Sequence, residues 1–298
     1  MMGQFWKLVT VTTLTIGSFS SATFAAQTSE PIAPTAVITD LDAALNRKDV
    51  TAVTNLLSPN FTHGDGYTRQ SLTQSLQALW QQYPNLTYRT EIIKATGQTN
   101  ATNVSNVSNV SEVETLTTIE GKRNLKGQIW KIQGTVRALQ VIEANQVRSQ
   151  TILAEQTQVR IGEKPPTVTV SLPTTVTVGK DYSYEVVVQE PVNDDLFMGT
   201  ILDEPVSAAL ISNPARLKLE FPSLAELLTG RPTRRRPIAA PAPGALVLKP
   251  VKLTRMKSGG FFKIGRASNV PETQWISAIL ARHDGGITIA TTRLRTIK

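Results

Sequence analysis

Trp130-Lys131-Ile132-Gln133-Gly134-Thr135-Val136-Arg137-Ala138 decides the fold. Trp130, Ile132, Gly134, Val136 and Ala138 fall on one face; Lys131, Gln133, Thr135 and Arg137 fall on the other. That period of two marks a strand with one covered face. Glu143-Ala144-Asn145-Gln146 breaks the run. Val147, Ser149, Thr151, Leu153, Thr157, Val159 and Ile161 then resume it against Arg148, Gln150, Gln156, Gln158 and Arg160. An earlier strand, Val113 to Arg123, precedes both. Strands of this length exceed the usual roughly five or six residues. Long antiparallel strands of this kind predict a sheet that wraps around something.

Upstream, the periodicity is helical. Thr35 caps a first helix with Val37, Ile38, Leu41, Ala44 and Leu45 on its apolar face,. Asp49 caps a second, short helix facing inward through Val50, Val53, Leu56 and Leu57, and Pro59 lies just past its end. A loop, Asn60 to Tyr67, carries two glycines. A third helix begins near Thr68 with Leu72, Leu76, Leu79, Trp80 and Tyr83 in one stripe, and Pro84 stops it. Leu86 to Lys94 alternates again as a strand.

Ala43-Ala44-Leu45-Asn46-Arg47-Lys48-Asp49 followed by Leu56-Leu57-Ser58-Pro59-Asn60-Phe61 resembles the nuclear transport factor 2-like (SnoaL-like) superfamily. The third helix and the long strands extend the resemblance over about 35–161. It implies an α+β cone, three helices on a curved antiparallel sheet, enclosing a pocket. Isomerases and dehydratases of that superfamily use Asp, His and Tyr as acid–base groups inside the cone, which makes His63, Asp65 and Tyr67 the catalytic candidates. Their spacing matches no catalytic motif of the superfamily residue by residue, and Asp65-Gly66 also reads as a simple tight turn. Trp80, Tyr83, Tyr88, Trp130 and Arg137 are candidates for lining the pocket, although an aromatic stripe of this kind also reads as plain core. The family further implies a homodimer formed through the sheet.

Downstream, Glu163-Lys164-Pro165-Pro166 reads as a rigid domain boundary,. Thr167 to Leu172, Val176 to Lys180 and Tyr182 to Val188 are short strands with turns between them. They predict an all-β sandwich resembling immunoglobulin-like or fibronectin-like modules. Residues 230–245 interrupt it with a Pro/Arg-rich loop. Trp275 to Leu280 reads as a buried strand, Asp284-Gly285-Gly286 as a hairpin turn and Ile287 to Ile297 as a closing strand.

Composition narrows the function classes. The chain has 298 residues, 40% hydrophobic and 18% charged, as expected of a globular protein,. No cysteine is present, which excludes disulfides, thiol nucleophiles, thiolate metal sites and a lipid anchor on cysteine,. Lys7, the apolar or hydroxylated run Leu8 to Phe19 and Thr23-Phe24-Ala25 form a secretory signal pattern cleaved after Ala25,. The expected layout is therefore a signal peptide at 1–25, a linker at 26–34, the cone domain at 35–163 and the sandwich at 164–298. Asn-Val-Ser occurs three times in succession from Asn103, reading as an expanded hairpin loop.

Residues 161–205 carry 2 basic and 8 acidic side chains; residues 206–298 carry 16 and 4. The basic excess is thus confined to the C-terminal third. Arg231, Arg234, Arg235 and Arg236 are the candidate anion-binding residues, for an anionic envelope polymer or lipid surface rather than nucleic acid, which an exported protein seldom meets. The same run also reads as a solvated loop. Only His63 and His283 could supply imidazole, so no metal site is expected, and no cofactor motif is present,. These readings describe an exported, periplasmic or extracellular, non-catalytic module of the bacterial cell envelope that binds a small apolar ligand or a protein partner. The alternative is an acid–base enzyme or small-molecule carrier using the cone.

Overall fold

The computed structural model describes residues 34–96, 110–125, 127–191, 197–206, 217–220, 247–250, 254–255 and 259–298. The expected signal peptide, the Asn-Val-Ser repeat as far as residue 109, and the loop at 230–245 lie outside them.

Helices α1 (Pro34–Arg47) and α2 (Val50–Leu56) are separated by Lys48 at a φ of 55°. Asp49 caps α2, its carboxylate accepting from the Ala52 N–H at 2.9 Å,. Strand β1 (Leu57–His63) leads to helix α3 (Arg69–Gln82), which starts with a reciprocal capping box between Thr68 and Ser71,. Val37, Ile38, Ala44, Val53 and Trp80 bury the helical faces in one core.

The long strands follow: β2 (Thr87–Thr96), β3 (Val110–Leu125), β4 (Gln128–Glu143) and β5 (Gln146–Ile161). Ala144 and Asn145 join β4 to β5 with positive φ at both positions, as a tight two-residue hairpin requires,. Strand β2 is an edge, and α1 closes part of it. Asn46 donates to the Tyr88 carbonyl at 2.8 Å and accepts from the Tyr88 N–H at 2.9 Å,.

Among the described residues ten further strands follow: β6 (Val168–Ser171), β7 (Thr175–Thr177), β8 (Asp181–Val188), β9 (Phe197–Pro205), β10 (Leu217–Glu220), β11 (Val247–Pro250), β12 (Thr254–Arg255), β13 (Gly260–Arg266), β14 (Glu272–Arg282) and β15 (Ile287–Ile297). Among the described residues the main sheet has ten strands. Eight run in the order β12-β9-β14-β15-β5-β4-β3-β2, with β1 added beside β5 and β7 beside β15. Strands β13-β8-β6 form a second sheet, and β10 pairs with β11. Val168, Tyr184, Val186 and Val188 of the second sheet pack with Phe197, Ile276, Leu280 and Leu294 of the main one. Gly199 on β9 leaves room for the Phe261 ring: a Cβ there would stand 2.2 Å from it.

The expected fold class, an α+β cone followed by a sandwich-like domain, is corrected. Strands dominate the described residues, the three helices have only 14, 7 and 14 residues, and one large, mostly antiparallel sheet runs through both halves. The cause lies in β5. One edge pairs with β4 along its length; the other pairs with β1 near Val147–Gln150 and with β15 over Gln156–Ile161. Without β15 that last stretch would be an open edge, a template for unwanted pairing. No helix among the described residues is long and apolar enough to cross a membrane.

Candidate functional site

A cavity of about 310 Å³ is bounded by α1, α2 and α3 and by side chains of β2–β5, β14 and β15. Leu41, Leu45, Leu72, Leu76, Ile119 and Val136 make apolar walls. The polar lining gathers His63, Asp65, Tyr67, Glu155, Trp275 and Arg293.

Strand pairing sets the centre of this group. Trp275 on β14 stands opposite Arg293 on β15. Arg293 donates from Nη1 to Asp65 Oδ1 at 2.8 Å and from Nη2 to Asp65 Oδ2 at 2.7 Å. Its Nε donates to Glu155 Oε2 at 3.1 Å, and the same oxygen accepts from Trp275 Nε1 at 3.1 Å. One guanidinium thus joins two carboxylates in the planar, forked geometry that Arg favours. Side-chain exposure is 3% for Arg293, 9% for Asp65 and 24% for Glu155. Burial works against the guanidinium charge, but hydrogen bonds and charge from Asp65 and Glu155 outweigh it and hold Arg293 above its ordinary pKa,.

A turn aims Asp65. The Gly66 N–H donates to the His63 carbonyl at 2.8 Å, and Gly66 adopts a φ of 84°,. The Gly64 N–H donates to the Gln150 carbonyl at 2.8 Å, fastening the turn to β5. The tight-turn reading of Asp65-Gly66 and its inward-pointing carboxylate therefore hold together.

His63 is 4% exposed at its side chain. Its Nδ1 accepts from the Asp65 backbone N–H at 3.1 Å, which assigns the ring proton to Nε2,. Nδ1 stands 3.7 Å from Asp65 Oδ2, but a neutral ring makes no ion pair there. Burial depresses the imidazole pKa most; Asp65 opposes that effect and Arg293 reinforces it. Tyr67 meets His63 edge-on, with ring centroids 5.0 Å apart. Burial, followed by the charges of Asp65 and Glu155, pushes the phenol far above its ordinary pKa, so it stays protonated.

The other candidates separate. Tyr88 lines the cavity; Trp80 lies behind it and donates from Nε1 to the Tyr88 hydroxyl at 2.9 Å. Tyr83 and Trp130 sit on the Arg123 guanidinium, with centroids at 4.5 and 4.6 Å, away from the cavity. Arg137 is on the outer face, paired with Glu114. Arg231, Arg234, Arg235 and Arg236 lie outside the described residues. Among the described residues no group of three or more His, Asp or Glu side chains could hold a metal ion.

Glu155, Arg293, Trp275, Gln140 and Gln150 are cavity residues that the sequence did not single out. Two bulges explain part of this. Pairing with β4 skips Arg148 and Leu153, so Val147, Gln150, Ile152 and Glu155 lie opposite Ile142, Gln140, Ala138 and Val136. Each extra residue moves the inward parity by one.

A family model described as a domain of unknown function (DUF8623) matches residues 163–224 and 238–297. No curated protein matches the chain. Among solved structures, a loop truncation variant of IdmH is similar over 40% of this chain and 91% of its own, at 12% identity and a TM-score of 0.29. An LEH-like epoxide hydrolase from M. tuberculosis is similar over 39% and 78%, at 9% identity and 0.27. An NTF2-like protein of unknown function from Cytophaga hutchinsonii is similar over 42% and 91%, at 14% identity and 0.23. At TM-scores this low, the likeness carries no argument about function.

Proposed function

We propose that the chain holds a small, mostly apolar molecule in the cavity between its helices and main sheet. The observation that carries this reading is the cavity itself: about 310 Å³, with leucine and isoleucine walls meeting a fixed group of charged side chains. That volume lies at the lower end of the roughly 300–1,000 Å³ of small-molecule sites, and apolar walls with a few fixed polar groups are their usual lining. A second reading, acid–base chemistry on the held molecule, is favoured by His63. Its Nδ1 is occupied by the Asp65 N–H, so a neutral ring offers its Nε2 proton to a ligand,.

The test begins with wild-type protein and a variant carrying Leu41→Trp, which fills the cavity. Cyclic alcohols are added to about 100 times their dissociation constant. Wild type should gain about 2.7 kcal/mol, a thermal shift of several degrees, and the variant should gain little. Equal shifts in both proteins would remove the cavity from the reading. Export is proposed separately, from the pattern at residues 1–25. N-terminal sequencing of the mature protein tests it, and an intact Met1 would overturn it.

A further inference from the structure

The cavity is not electrically balanced. Among the described residues its ionisable lining, apart from the two tyrosines, comprises Asp65, Glu155, Arg293 and His63. Asp65 and Glu155 are two formal negative charges against the single positive charge of Arg293. His63 accepts at Nδ1 and adds none. Arg293 is committed to both carboxylates through Nε, Nη1 and Nη2. A ligand carboxylate would compete for a guanidinium already engaged and would meet a second like charge. A donor meets the opposite situation. Trp275 and Arg293 both use Glu155 Oε2, leaving Oε1 without a hydrogen bond among the described residues.

A second observation points the same way. Gln140 lines the cavity, is 3% exposed, and its Oε1 is buried without a hydrogen-bond partner. Its Nε2 reaches only Thr115 Oγ1, at 3.4 Å. A buried acceptor left unpaired is costly, and its terminal torsion is soft enough to turn toward a bound donor. Gln140 stands opposite Gln150, which stands opposite His63, so one polar row crosses β4, β5 and β1.

We infer that the cavity selects a ligand with a hydrogen-bond-donating polar end, an aliphatic amine before an alcohol, and rejects carboxylates. This rests on the small-molecule reading above and names the chemistry of that molecule's polar end.

The test uses three molecules on one skeleton: cyclohexylmethylamine, cyclohexylmethanol and cyclohexanecarboxylate, titrated calorimetrically into the full chain at pH 7.5 and low salt. The amine should bind about tenfold tighter than the alcohol, and the carboxylate about tenfold weaker than the alcohol, as one uncompensated charge in a partly screened site implies. An amine no tighter than the alcohol, or a carboxylate as tight as it, overturns the inference and leaves the small-molecule reading standing. Failure of all three to bind overturns both. Glu155→Gln keeps an acceptor for Arg293 and Trp275 while cancelling the excess charge. In that variant the amine's advantage over the alcohol should shrink to less than about threefold. An undiminished advantage overturns the part assigned to Glu155.

Discussion

Arg293 and Leu294 are neighbours on β15 yet face different interiors. Leu294 is 1% exposed in a dry core shared by the two sheets, among Tyr184, Phe197 and Ile276. Arg293 is 3% exposed at its side chain and closes one side of a cavity. Strand alternation alone divides them. The two burials differ in kind. Leu294 is held by shape and by exclusion of water. Arg293 is held because two carboxylates from distant parts of the chain compensate its desolvation, and each partner is uncompensated without the others. The dry face should therefore respond gradually to substitution and the cavity face in large steps.

The sharpest way to break the comparison is Arg293→Met, which keeps bulk and removes charge. It leaves Asp65 and Glu155 buried without their cation and should lower unfolding free energy by about 3–5 kcal/mol in urea titration. A loss below about 1 kcal/mol would mean that Asp65 and Glu155 do not depend on the Arg293 charge for their burial. Leu294→Ala should cost about 2–4 kcal/mol through the cavity it leaves, and should not change binding of small alcohols. A changed affinity would tie the dry core to the site. Tyr88→Phe removes the oxygen that accepts from Trp80 Nε1 and should cost about 1–3 kcal/mol, because a buried indole N–H is left unpaired,.

The same contrast separates what could be read in the sequence from what could not. Trp275 to Leu280 was legible as a buried strand and Ile287 to Ile297 as the strand closing the hairpin turn at Asp284-Gly285-Gly286,. So was the cap at Asp49, which rests on a contact within three residues. The turn at Asp65-Gly66 was legible locally, but not what Asp65 reaches: Arg293 lies 228 residues away. Glu155 had the inward parity but looked like one polar residue among many. Gln150 was assigned outward because the bulges at Arg148 and Leu153 shift parity out and back, and neither carries a glycine or proline to mark it,. The sandwich was expected to stand apart because its strands have their own turns. Nothing short-range shows that β15 hydrogen-bonds to β5.

The smallest effect tests whether the cavity face truly keeps a neutral histidine. Burial lowers the His63 pKa below its ordinary 6.5. The unfolded chain therefore takes up this proton before the folded one does, and stability contributed by the neutral ring falls as pH drops from about 6.5 through the lower, folded value. Above 6.5 both states hold the ring neutral and the contribution is constant. His63→Asn lets an amide oxygen accept the Asp65 N–H while removing the titration. Unfolding free energies of the two proteins, measured from pH 8 to pH 5, should run parallel above about 7 and converge below 6.5 as wild type loses its advantage. Curves parallel throughout would mean that folding leaves the proton affinity of His63 unchanged, and the charge count of the cavity would then change with pH.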